Sequence, residues 1–114
     1  MSTRCNIIIN KDKECMWLYH HCDGYPEYMG CVLRDYINKL DNLNPYAIFD
    51  DLIFNNAIDD GFESSVGLHF DIEYLYLIDT DKRTVECYMR RWEDGQCSLE
   101  TIINPKNKIE DFND

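Results

Sequence analysis

The sequence predicts an α+β domain, with an antiparallel sheet of about five strands and two helices on one face, in the order ββααβββ. Three observations carry this prediction. Apolar and polar residues alternate at both ends of the chain, apolar residues recur at helical spacing in the middle, and 114 residues suffice for one hydrophobic core but not two. Residues 1–104 read as a single domain and residues 105–114 as a polar tail.

The first two strands form a hairpin. Residues 4–10 place Cys5, Ile7 and Ile9 on one face, residues 15–20 do the same with Met16, Leu18 and His20, and Lys11-Asp12-Lys13-Glu14 links them. The first helix, over residues 26–40, rests on apolar residues at 29, 32, 33, 36, 37 and 40, the spacing of one helical face. In the second, Asn44 is the expected N-cap and Pro45 the first helical residue, with Tyr46, Ile48, Phe49, Leu52, Ile53 and Ala57 as the apolar face. Residues 59–70, rich in Gly, Ser and acids, read as a loop. Three strands follow as an antiparallel meander, 71-DIEYLYLID-79, 84-TVECYMRRW-92 and 97-CSLETIIN-104, with Asp94-Gly95 a tight-turn signal. In the first of these, Leu75 and Leu77 are expected to meet the helices. Tyr74 and Tyr76, with Ile72 and Ile78, are expected on a second, partly exposed face.

Hairpin and helix are joined by 20-HHCDGYPEYMG-30, the densest chemistry in the chain. Much of it is punctuation: Asp23-Gly24 makes a turn with Gly24 free to adopt positive φ, Tyr25 is held extended by the following proline, and Pro26 presets the helix. His20, His21, Cys22 and Asp23 are left over. Alternation sends the two histidines to opposite faces, so one site uses at most one of them. A zinc site needs three or four convergent ligands, and no Cys-x-x-Cys pair is present, so neither a metal nor a cofactor is expected. A nucleophilic pair of Cys22 or Cys31 with His20 or His21 requires an adjacency that spacing does not supply. Ligand capture is the better use: Arg4, His21, Asp23 and Tyr25 gathered near the helix N-terminus could hold a phosphate or nucleotide.

The segments 2-STRCNIII-9, 17-WLYHHCDGYPEYMG-30 and 72-IEYLYLID-79 resemble a group of small, mostly uncharacterised proteins of phages and bacterial mobile elements. Members of that group begin with a Thr-Arg strand, carry a Tyr-x-His-x-Asp-Gly-Tyr-Pro turn before a helix, and have a later Glu-Tyr-x-Tyr strand. Here those positions are Thr3, Arg4, Tyr19, His21, Asp23, Gly24, Tyr25 and Pro26, then Glu73, Tyr74 and Tyr76. The resemblance implies an origin and carries no mechanism.

Charge is the strongest global feature, with 22 acidic against 11 basic residues and a formal net charge of −11. Such a field repels nucleic acid and attracts basic surfaces. Between Lys39 and Lys82 there is no lysine or arginine, while Asp41, Asp50, Asp51, Asp59, Asp60, Glu63, Asp71, Glu73, Asp79 and Asp81 all fall there. Their spacing fails the twelve-residue calcium-loop pattern. Six cysteines without an export signal or an apolar spanning run point to reduced thiols in the cytoplasm.

The expected function is binding and not catalysis: a phage-type anti-defence protein, acting as an acidic inhibitor or nucleic-acid mimic of a basic, nucleic-acid-handling host protein such as a CRISPR effector. Contacts are expected from Asp50, Asp51, Asp59, Asp60, Glu63, Glu73, Tyr74 and Tyr76, and reversal of Asp50, Asp51, Asp59 and Asp60 to lysine is expected to spare the fold. The alternative is a sponge for a nucleotide signal at Arg4, His21, Asp23 and Tyr25. A small hydrolase using His21 and Asp23 comes third.

Overall fold

The computed structural model describes residues 3–11, 14–41, 43–67, 69, 71–93 and 96–101, with the backbone alone for residues 11, 14, 90–93 and 96–101. The fold is α+β. Hairpin strands β1 (Cys5–Lys11) and β2 (Glu14–His20) lead into a π-helical turn, Pro26–Gly30, that runs on into α1 (Cys31–Asn38). Then come α2 (Pro45–Ile53), β3 (Phe62–Ser65), β4 (Tyr74–Asp79), β5 (Thr84–Glu93) and β6 (Gln96–Thr101). The expected strand over 97–104 is described as far as Thr101; residues 102–104 and the tail lie outside the described residues.

Local signals place most of these elements. Tyr25 is extended (φ −73°, ψ 153°) before Pro26, and the Asn44 side chain accepts from the Tyr46 and Ala47 amides at 2.9 and 3.2 Å, the N-cap expected of it. The last turn of α1 is closed from a distance. Arg83, at positive φ in the turn after β4, donates to the Leu40 and Ile37 carbonyls at 3.0 and 3.3 Å, supplying cations where the helix dipole is negative.

Two expectations about strand number and pairing are corrected. Among the described residues the sheet has six strands in the order β3-β2-β1-β4-β5-β6, and its central pair, β1 with β4, is parallel, so the sheet is mixed. The extra strand, β3, pairs antiparallel with β2 from within the segment read as a loop. At four residues, of which only Phe62 is buried, it is too short to show alternation, and pairing with β2 defines it. β3 therefore runs in the direction of β1, and β4 is parallel to both.

Both helices cover one face. Met29, Leu33 and Ile37 on one side and Ile48 and Leu52 on the other meet Cys5, Ile7, Ile9, Leu18, Phe62, Tyr76, Ile78, Val85 and Cys87 in a single core. The opposite face carries a smaller cluster of Tyr19, Ile72 and Leu75, flanked by Ile8, Trp17 and Tyr88. His69 lies over this face: its ring stacks on Tyr19 at 3.9 Å between ring centroids, and its amide donates to Asn6 Oδ1 at 2.8 Å. Asn6 is fully buried, and its Nδ2 donates to the Leu18 carbonyl at 2.8 Å, so its desolvated amide is satisfied at both ends.

The two faces of β4 are therefore the reverse of the expected ones. Tyr76 and Ile78 enter the helix-side core and Leu75 the opposite cluster. Leucine and tyrosine are both apolar enough to be buried, so alternation fixes which residues share a face but not which face is covered.

In the turn after β2, positive φ belongs to Asp23 (52°) and not to Gly24. Gly24 is required for proximity: a Cβ there would lie 2.9 Å from Cys5 Cβ and 3.0 Å from the Thr3 carbonyl oxygen, while its amide donates to that same oxygen at 2.9 Å. Gly24→Ala is expected to destabilise the domain by about 1–3 kcal/mol, read from urea denaturation, because backbone and a buried side chain must shift to admit the methyl.

Candidate functional site

The acids of the middle segment divide into two groups. Asp41, Asp50, Asp60, Glu63, Glu73 and Asp81 are exposed, whereas Asp51, Asp59, Asp71 and Asp79 are half-buried. Each member of the second group has work inside the fold. Asp51 accepts from the Tyr36 hydroxyl and from Asn55 Nδ2, both at 2.8 Å, joining α1 to α2. Asp71 accepts from Arg4 Nε at 3.1 Å and from the Tyr19 hydroxyl at 3.1 Å. Asp79 accepts from the Asp81 and Lys82 amides at 3.0 Å.

Asp59 is the most heavily used. It takes the Gly61 amide at 2.8 Å, the Tyr28 hydroxyl at 3.1 Å and His20 Nε2 at 2.9 Å. Burial alone would raise its pKa, but the Gly61 amide, the His20 ring and the Tyr28 hydroxyl together hold it below the ordinary carboxylate range. His20 is 1% exposed, with Phe62 edge-on at 4.6 Å between centroids. Its Nδ1 lies against the Cys22 carbonyl, and a carbonyl only accepts, so Nδ1 carries a proton. Both ring nitrogens are occupied, which leaves neither to accept a proton from a substrate.

The other ingredients of a nucleophilic site are equally constrained. The Cys22 thiol is pushed up by burial first and then by the carboxylates of Asp23, Asp59 and Asp60, the opposite of what a thiolate nucleophile needs. Cys5, Cys15, Cys22, Cys31 and Cys87 are thiols and not disulfides. Among the described residues no three His, Cys, Asp or Glu side chains are grouped to hold a metal ion, and no helix is long and apolar enough to cross a membrane.

The four residues expected to gather a ligand are engaged in different directions. Arg4 turns to Asp71, which also accepts from Tyr19 of the cluster away from the helices. His21, more than half exposed, lies 3.7 Å from Glu63. Asp23 is exposed at the strained turn position, and Tyr25 approaches Tyr28 with ring centroids 6.4 Å apart.

Compared with protein-family models, curated proteins and solved structures, the chain matches none. The functional argument therefore rests on the surface itself.

Of the residues expected to contact a partner, Asp50, Asp60, Glu63 and Glu73 are exposed and Tyr74 is half-buried. Tyr76 is fully buried, with its hydroxyl donating to the Gly24 carbonyl at 2.8 Å, so it is an internal strut and not a surface aromatic. Asp51 and Asp59 hold the fold, which corrects the expectation that reversing them would be structurally silent. The apolar face expected of α2 is corrected at two positions, since Tyr46 is 53% exposed and Ala57 is exposed beyond the end of the helix at Ile53; Phe54, 72% exposed, is an aromatic the sequence left unassigned. The helical wheel held the signal for Tyr46, which stands a third of a turn or more away from the Ile48–Leu52 stripe.

Proposed function

We propose that this protein works by binding, with an outward acidic surface that competes with nucleic acid for a basic, nucleic-acid-handling host protein such as a CRISPR effector, in the anti-defence setting that its resemblance to phage and mobile-element proteins suggests. One observation carries the reading. A stretch of ten carboxylates without a lysine or arginine keeps six of them exposed after folding has used the other four. Folding demands account for Asp51, Asp59, Asp71 and Asp79, Glu63 faces His21, and Asp41, Asp50, Asp60 and Glu73 stand exposed to solvent. A rigid array of carboxylates meets the Lys and Arg side chains that otherwise neutralise phosphates, and it does so with the same sign of charge.

The test follows from the division of the acids. Asp50→Lys, Asp60→Lys, Glu63→Lys and Glu73→Lys combined in one chain spare every internal carboxylate. The tagged wild type is expected to retain a basic nucleic-acid-binding protein from bacterial lysate at low salt, to lose it to added duplex DNA, and to hold less of it as salt screens the contact. The reversed chain is expected to melt near the wild-type temperature and retain none. Undiminished capture by the reversed chain at moderate salt would sink the charge mechanism.

A further inference from the structure

Helix α2 has the wrong outward face for a helix that merely borders solvent. Its buried side is Pro45, Ile48 and Leu52. The side turned away consists of Tyr46, Ala47, Asp50 and Phe54, all exposed, whereas a solvated helix face ordinarily carries charged and polar residues. Tyr46, Asp50 and Phe54 recur every fourth residue and so form one row, and the Phe54 amide donates to the Asp50 carbonyl at 2.8 Å, which carries the helical path on to the phenylalanine. The row is aromatic, carboxylate, aromatic.

The geometry points to this row as the anchor of the interface, with Tyr46 and Phe54 inserted into a partner that places lysine or arginine around an apolar pocket. The inference rests on the acidic-surface reading and names the part of that surface from which affinity comes. Charge selects the occupant. A second copy of the chain, docked by its own α2, would set Asp50 against Asp50 and bring together two molecules each of net charge −11. A basic partner meets Asp50 with opposite charge, and no lysine or arginine between Lys39 and Lys82 competes for that contact. Aromatic side chains supply large contact area at small entropic cost, and a carboxylate between them sets register and excludes acidic competitors.

The probe is a synthetic amphipathic lysine–leucine helical peptide titrated calorimetrically into the full chain, with a lysine-only peptide of equal charge as control. The leucine-containing peptide is expected to keep part of its affinity at high salt. Phe54→Gln and Tyr46→Gln are each expected to weaken it about tenfold or more, the scale of a buried aromatic anchor. The lysine-only peptide should lose affinity with salt and with Asp50→Lys, and should ignore Phe54→Gln. Equal affinity of the wild type and Phe54→Gln for the leucine-containing peptide would overturn the anchor. So would a wild-type dimer in sedimentation that Phe54→Gln dissolves, because the face would then belong to a second copy. The two readings fail separately in the lysate capture: loss on reversing Asp60, Glu63 and Glu73 with Phe54→Gln silent removes the anchor and keeps the acidic decoy, and loss with Phe54→Gln alone does the reverse.

Discussion

Asp59→Ala is expected to cost about 2–3 kcal/mol of stability, the scale of leaving buried donors without their acceptor, and to lower the melting temperature by roughly 10 °C. The reason is what remains behind. His20 is 1% exposed, and without Asp59 its Nε2 faces no acceptor while the Tyr28 hydroxyl and the Gly61 amide lose theirs as well. There is no slack nearby, since a Cβ on Gly61 would lie 2.7 Å from that same Nε2. The acid limb of the stability curve should report the same contact. A carboxyl held below its ordinary range contributes stability that is present above that range and is lost as pH falls through the lowered value. The wild type should therefore lose stability on acidification more steeply than Asp59→Ala, and parallel curves would show that the carboxylate is not ionised against His20.

Tyr76→Ala is expected to be at least as damaging, at about 4 kcal/mol, because it removes a fully buried aromatic from the centre of the sheet and leaves a cavity there. Tyr76→Phe separates packing from hydrogen bonding. It keeps the ring and deletes the bond to the Gly24 carbonyl, which should cost about 1–2 kcal/mol. The neighbouring exposed Glu73 should tolerate alanine within about 0.5 kcal/mol. Chemical denaturation of the three variants checks the assignment of faces on β4: a small effect of Tyr76→Ala would return the tyrosine to the surface.

Local physics made most of the secondary structure legible. Proline, asparagine and the helical period placed α2, and alternation found the hairpin and the meander, because each signal acts within a few residues of the backbone it directs. What escaped was set by distant partners. β3 exists because β2 offers an edge. The parallel seam of β1 with β4 joins segments far apart in the chain, and the burial of Tyr76 depends on which face the helices chose. The same limit governs the site. Ten acids could be counted between Lys39 and Lys82, but only the meeting of Asp59 with His20 and of Asp51 with Tyr36 separates carboxylates that hold the fold from those left exposed. Punctuation around Gly24 was read correctly as a turn and incorrectly as a positive φ, since an aspartate tolerates that conformation and only glycine fits against Cys5.

The parallel seam also dictates the order in which the molecule can assemble. Thr80 bonds back to Asn10, 70 residues away in the chain, and β4 occupies the place beside β1 that neither the hairpin nor the helices can fill. During synthesis the hairpin, both helices and β3 must therefore emerge with one flank of β1 open, and the sheet closes only after Asp79 has left the ribosome. Contacts this distant slow folding, so the nascent chain spends its vulnerable interval with apolar β1 uncovered. Dense negative charge in the segment made just before closure offers one physical benefit at that moment, since chains that repel one another are slow to aggregate.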